Sequence, residues 1–251
     1  MNDMPFRLYT AVKLGCWTTC WMLVTSLGFA GSVEEGRTSY QSGGKKIKVE
    51  TYLPAGNGRH PAVIVLYGSG GALLGKGEMV AFARGLASQG MAAFLVHYFN
   101  RTGSLVVLDK GITKHWSTWN ETVRDGVDFV VSHPRVRSEA VGMLGYSLGG
   151  YLAISESSGD KRIRAVVALA GGVFDRLQGR TQRFAPILVL HGRKDERVPV
   201  GRVLDVQREA RRHGVEPVVK IYEQETHRFS EVALADAGAR AQKFLLEHLS
   251  R

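Results

Sequence analysis

The stretch Val141-Gly142-Met143-Leu144-Gly145-Tyr146-Ser147-Leu148-Gly149-Gly150 constrains this chain more than any other. An apolar run stops at Gly-x-Ser-x-Gly, and the pattern of a small-residue helix follows. Such a transition calls for a sharp strand-to-helix turn, which lifts the serine side chain above the end of a sheet. Glycine is needed at 145 and 149 because a side chain there collides with neighbouring backbone. Ser147 is then expected at the positive end of a helix, where developing negative charge is favoured. A chain with 30 glycines produces this pentapeptide by chance often enough that its meaning depends on what else the chain supplies.

The rest of the chain supplies a sheet for that turn to end. Pro61 to Leu66 runs apolar without alternation, the mark of a strand buried on both faces of a parallel sheet. Similar runs recur at Met91 to Val96, Val141 to Leu144, Ile163 to Leu169, Ile187 to Leu190 and Val218 to Tyr222. Helical spacing appears between them, first at Met79, Phe82, Ala83 and Leu86, ended by Gly90. A second stripe, Trp116, Trp119, Val123, Val127 and Val130, stops at His133-Pro134 and reads first of all as core. Further helices are expected from the serine to about Ser157, from Val200 to His213 and from Ala233 to Leu249. Ile47, Val49, Thr51 and Leu53 alternate, which predicts an antiparallel edge strand, with Ser32 to Thr38 read as a polar linker before it. Asn100 to His115 shows no period and is expected to be a functional loop. Strands alternating with helices predict an α/β fold with a mostly parallel sheet covered on both faces.

Composition sets the scale. The chain has 251 residues, 44% hydrophobic and 22% charged, enough for one substantial α/β domain, expected over residues 31–251. Arg7 and Lys13 precede an uncharged run from Leu14 to Phe29 that ends in Gly28-Phe29-Ala30. This reads as a signal peptide over residues 1–30, cleaved after Ala30, and predicts a periplasmic or secreted protein. The competing reading is an uncleaved anchor, in which case alone the membrane is a partner. Both cysteines, Cys16 and Cys20, fall in this segment, so the mature chain is expected to have neither disulfide nor thiol nucleophile. The formal net charge is +10, yet the basic residues are scattered, and clusters such as Arg208, Arg211 and Arg212 read as solvated faces. Nucleic acid is therefore not an expected partner.

Parallel sheets present ligands at the carboxyl ends of their strands. A serine nucleophile needs a histidine base, a carboxylate to orient it and donors for an oxyanion. Asp195 follows the strand at Ile187 to Leu190, and Glu196 and Asp175 are rival acids. His227 follows the strand at Val218 to Tyr222, with His191 and His97 as rivals. No pair of histidines has metal-ligand spacing, and neither metal nor cofactor is expected. The loop Leu66-Tyr67-Gly68-Ser69-Gly70-Gly71 is expected to bring Ser69 N–H to pair with Leu148 N–H as an oxyanion hole, Gly70 being the alternative to Ser69. Gly70 to Gly77 also mimics a phosphate-binding loop, but Gly77 stands where Ser or Thr must hold magnesium.

Taken together, Pro61 to Gly71, His97-Tyr98-Phe99-Asn100-Arg101-Thr102-Gly103, Gly145 to Tyr151, His191-Gly192 with Asp195, and His227-Arg228-Phe229 resemble the dienelactone hydrolase family. The resemblance spans roughly residues 40–250. It implies an α/β-hydrolase fold with an eight-stranded, mostly parallel sheet, a Ser147/Asp195/His227 triad, and hydrolysis of small-molecule esters or lactones. Dienelactone hydrolase itself uses a cysteine where this chain has Ser147, which is similar to the serine members. Two further departures are Arg228 in place of the usual glycine and Tyr67 in place of the commoner histidine. Tyr67 and Arg101 are expected to bind substrate, Arg101 through bidentate pairing with an anionic group. A peptidase acting on short peptides and a non-catalytic binding protein on the same fold are the alternative functions. Oligomeric state is not indicated.

Overall fold

The computed structural model describes residues 31–174 and 183–250. The expected leader over residues 1–30, and with it the expected location, lies outside the described residues, as does the rival acid Asp175.

Eight strands form one sheet in the order β1-β2-β4-β3-β5-β6-β7-β8. The strands are β1 (Val33–Ser42), β2 (Lys45–Pro54), β3 (His60–Leu66), β4 (Ala92–Val96), β5 (Val136–Tyr146), β6 (Ile163–Leu169), β7 (Ile187–Gly192) and β8 (Val218–Tyr222). β1 pairs antiparallel with β2 and β2 antiparallel with β4, while every later pairing is parallel. Val63 to Leu66 and all of β4 are buried, as expected for strands with helices over both faces. The helices are α1 (Gly71–Leu74), α2 (Lys76–Ser88), α3 (Asp109–Val131), α4 (Leu148–Gly159), α5 (Gly201–Arg212) and α6 (Glu231–Leu249). α2 packs with α6, and α3 with α4. Gly142 of β5 lets Leu245 and Leu249 of α6 close onto the sheet, since a Cβ there would lie 3.0 Å from the first and 3.2 Å from the second.

Two expectations change. The polar linker belongs to a strand: β1 forms the sheet edge, and the alternating segment, β2, lies one place inside it. Gly43 and Gly44 join the two with φ of 46° and 74°, the left-handed pair that suits a two-residue hairpin turn. Second, the irregular stretch is shorter than expected. A 3₁₀ turn occupies Tyr98–Arg101 and α3 begins at Asp109, so the true loop is Thr102 to Leu108. The phosphate-loop mimic, already set aside on Gly77, folds as α1 and the start of α2. Trp119 is fully buried and donates its indole N–H to Thr102 Oγ1 at 3.1 Å, so the tryptophan stripe anchors this loop from beneath.

Candidate active site

Parallel β3, β5, β7 and β8 end on one side of the sheet, and the loops that leave them meet around Ser147. This residue sits between β5 and α4 with φ 52° and ψ −119°, a conformation that costs a non-glycine residue about 1–3 kcal/mol. The surrounding backbone holds it there. Ser147 N–H donates to Leu169 C=O at 2.8 Å and Ser147 C=O accepts from Tyr151 N–H at 3.1 Å. A Cβ on Gly145 would lie 2.2 Å from Gly149 O, and one on Gly149 would lie 2.3 Å from Leu66 O. The two glycines thus allow the close approach of β5, α4 and β3 that fixes the turn.

His227 and Asp195 come to this serine from the loops after β8 and β7. Ser147 Oγ stands 3.1 Å from His227 Nε2, and His227 Nδ1 stands 2.8 Å from Asp195 Oδ2. Asp195 Oδ1 accepts from the N–H groups of Arg197 at 2.9 Å and Val198 at 2.8 Å. Burial pushes this carboxyl up, but the hydrogen bonds from His227 and Val198 outweigh it and hold Asp195 below the ordinary carboxylate range. An ionised Asp195 places the imidazole proton on Nδ1 and leaves the Nε2 lone pair facing the serine hydroxyl. The acid and histidine loops are pinned to each other: Lys194 N–H donates to Glu225 C=O at 2.9 Å, and Arg193 N–H to Tyr222 C=O at 2.9 Å.

The rival residues have other partners. Glu196 is exposed, whereas Asp195 is buried. His191 is fully buried and bonds the Val198 carbonyl through Nε2 at 2.8 Å, which braces the acid turn. His97 bonds Glu50 at 2.9 Å, and Lys76 reaches the same carboxylate at 2.7 Å.

The loop after β3 packs beside the serine. A Cβ on Gly68 would lie 3.0 Å from Ser147 Cβ, and Gly68, Ser69 and Gly70 all line the cavity that holds Ser147 and His227. Leu148 is the first residue of α4, so its N–H has no partner within the helix. Ser69 C=O accepts from Val107 N–H at 2.9 Å, which ties the Thr102 to Leu108 loop to this wall. The cavity has a volume of about 300 Å³. Leu74, Met79, Val106, Val107, Phe229 and Leu234 make it mainly apolar, with exposed Arg197, Arg228 and Glu78 around it. Among the described residues no group of three His, Cys, Asp or Glu side chains is placed to hold a metal ion.

Two expected substrate contacts are corrected. Tyr67 is buried beneath the loop: its hydroxyl accepts from Phe99 N–H at 3.2 Å, its ring stacks on Tyr98 at 4.8 Å, and it does not line the cavity. Arg101 turns away toward the β1–β2 hairpin, where it donates to Gly43 C=O at 2.5 Å and lies 3.6 Å from Glu121. Both support the scaffold. Conversely, the sequence reading leaves out Tyr146, whose hydroxyl donates to the His227 backbone carbonyl and whose ring lies 5.5 Å from the imidazole. Its place as the first variable residue of Gly-x-Ser-x-Gly carries no signal of that contact.

Comparison with known proteins agrees with this architecture. The dienelactone hydrolase family model matches residues 47–248. Acyl-coenzyme A thioesterase 1 of Mus musculus is 30% identical over 175 residues, 69% of this chain and 36% of that protein. The bile acid-CoA:amino acid N-acyltransferase of Mus musculus is 32% identical over 129 residues, 51% of this chain and 28% of that protein. The chain thus spans about a third of the length of these curated relatives. The dienelactone hydrolase from Anabaena variabilis ATCC 29413 superposes with a TM-score of 0.66 at 19% identity, covering 86% of this chain and 99% of that one.

Proposed function

Because the chain belongs to the dienelactone hydrolase family, we propose that it is a serine hydrolase that cleaves small-molecule carboxylic esters and lactones through an acyl-enzyme on Ser147. The observation that carries this reading is the Ser147–His227–Asp195 relay, with links of 3.1 Å and 2.8 Å, on a strained strand-to-helix turn. In this reading His227 Nε2 takes the Ser147 proton as Oγ attacks the acyl carbon. The N–H groups of Leu148 and Ser69 stabilise the resulting oxyanion, each worth about 10²- to 10³-fold in rate. The imidazolium then protonates the departing alkoxide, and Asp195 holds the ring and balances its charge. Water, deprotonated by His227, releases the acid product and restores the serine.

Thioesters are a second reading, favoured by the name of the 30% identical relative. Arg197 and Arg228 near the serine suit an anionic leaving group in either reading. The test is hydrolysis of matched aryl esters, lactones, thioesters and peptide anilides by the wild type and Ser147→Ala. The expected result is turnover of at least one oxygen ester with a loss of about 10³-fold or more in Ser147→Ala. Cleavage of the peptide substrates alone, or turnover that survives in Ser147→Ala, would contradict the proposal.

A further inference from the structure

Beside the cavity over Ser147, past α1, lies a second space. A groove of about 820 Å³ runs between α2 and α6, and Leu74, Glu78 and Leu234 border both spaces. Ala81 and Phe82 from α2, and Ala235, Gly238 and Ala239 from α6, give it a small, apolar floor, and Lys76, Glu78, Glu231 and Gln242 also line it. A Cβ on Gly238 would lie 3.7 Å from the Phe82 ring, so the glycine leaves the groove the depth that a side chain would fill. Leu73 and Leu74, beside the junction, are 69% and 54% exposed. Large apolar side chains that stay exposed next to a binding cavity are commonly covered by what the cavity binds. The charged residues that border the groove do not close it, for Glu78 and Glu231 are exposed and Lys76 is committed to Glu50 at 2.7 Å.

At about 300 Å³ the first cavity is at the small end for a ligand site, and the second space shares Leu74, Glu78 and Leu234 with it. We propose that the α2–α6 groove receives the acyl chain of the substrate, so that the enzyme prefers esters of long, unbranched fatty acids. This inference rests on the reading that Ser147 carries the acyl group. The chain leaves the serine between Val107 and Leu234, crosses Leu74 and lies along Ala235, Gly238 and Phe82. Each methylene buried on this path is worth about fourfold in kcat/KM.

The test uses 4-nitrophenyl acetate, butyrate, octanoate and dodecanoate below their micelle concentrations. It compares the wild type with Ala235→Trp, at an exposed position of α6, and Gly238→Leu, which has room beside Phe82. For the wild type, kcat/KM is expected to climb from butyrate to octanoate. Each variant is expected to lower the octanoate and dodecanoate values about tenfold or more, with the acetate value and the rate of fluorophosphonate labelling at Ser147 unchanged. A wild-type profile that falls beyond butyrate, or equal loss on all four esters, would overturn the groove assignment while leaving the esterase reading intact. Absence of both turnover and labelling would instead remove the esterase reading. The groove is then decided by calorimetric titration with dodecanoate: binding that Ala235→Trp abolishes sustains it, and no binding by the wild type overturns it.

Discussion

The three residues placed in the relay are legible in the sequence because each follows a strand of the parallel sheet, and topology alone brings those strand ends together. The direction of a long side chain is not legible in the same way. Arg101 leaves the end of β4 on a 3₁₀ turn that aims its guanidinium at the Gly43 carbonyl, and Tyr67 is drawn under the loop by Tyr98 and Phe99. Both outcomes depend on contacts across the sheet that spacing does not encode. Tyr146 shows the same limit from the other side, since its bond to the His227 carbonyl joins residues 81 positions apart. Removing that hydroxyl in Tyr146→Phe is expected to spare the elbow backbone and loosen the histidine loop. The net worth of one such hydrogen bond is about 0.5–1.5 kcal/mol, so kcat is expected to fall about 2- to 10-fold with little change in KM. Steady-state kinetics on one ester checks this, and an unchanged kcat would remove Tyr146 as a positioning residue.

At the scale of elements, buried strands announce themselves and an exposed one does not. Five consecutive residues of β1 near its start are exposed, so its sequence carries no alternation, and only its ten-residue pairing with β2 makes it a strand. α3 starts early for a related reason: its first turns are mostly exposed, and the tryptophan stripe that signals the helix begins at Trp116. The elbow is different, because its requirement is steric. In Gly149→Ala the new methyl group would meet the carbonyl oxygens of Leu66 at 2.3 Å and Tyr67 at 2.6 Å. Neither is the end of a flexible side chain, so the loss of stability is expected to be about 3 kcal/mol or more, a fall in melting temperature of about 6–12 °C. Gly159→Ala, at the open end of the same helix with no atom within 4 Å of the new carbon, is the control and is expected to leave the melting temperature within about 1–2 °C. Equal melting temperatures for both variants would contradict the elbow's steric account.

Over the whole molecule, burial of ionisable groups sets how folding responds to pH. Burial pushes His97 and His191 below the ordinary histidine value of 6.5. Unfolded chains take up these protons near pH 6.5 while the folded chain resists, so this contribution to stability is complete above 6.5 and is lost as pH falls through the folded values. Asp195 acts with the same sign lower down: its stabilisation is present above the ordinary aspartate value of 3.8 and is lost as pH falls through its depressed folded value. Glu156 opposes this in the carboxylate range, because burial raises it above 4.5. The histidine window is therefore the clearest, and the melting temperature is expected to decline as pH is lowered from about 6.5 to 5. A thermal-shift series across pH 5 to 8 checks it, and a midpoint that stays level or rises on acidification would contradict the assignment.

The same arrangement of four strand-end loops makes one claim above all, that Ser147 is an activated nucleophile. Fluorophosphonate treatment of the folded protein, followed by peptide mapping by mass spectrometry, tests it most directly. The expected result is one phosphonyl adduct on Ser147, formed far more slowly in His227→Ala and absent in Ser147→Ala. A folded wild-type protein that remains unmodified at Ser147, or one modified at the same rate without His227, would contradict the account.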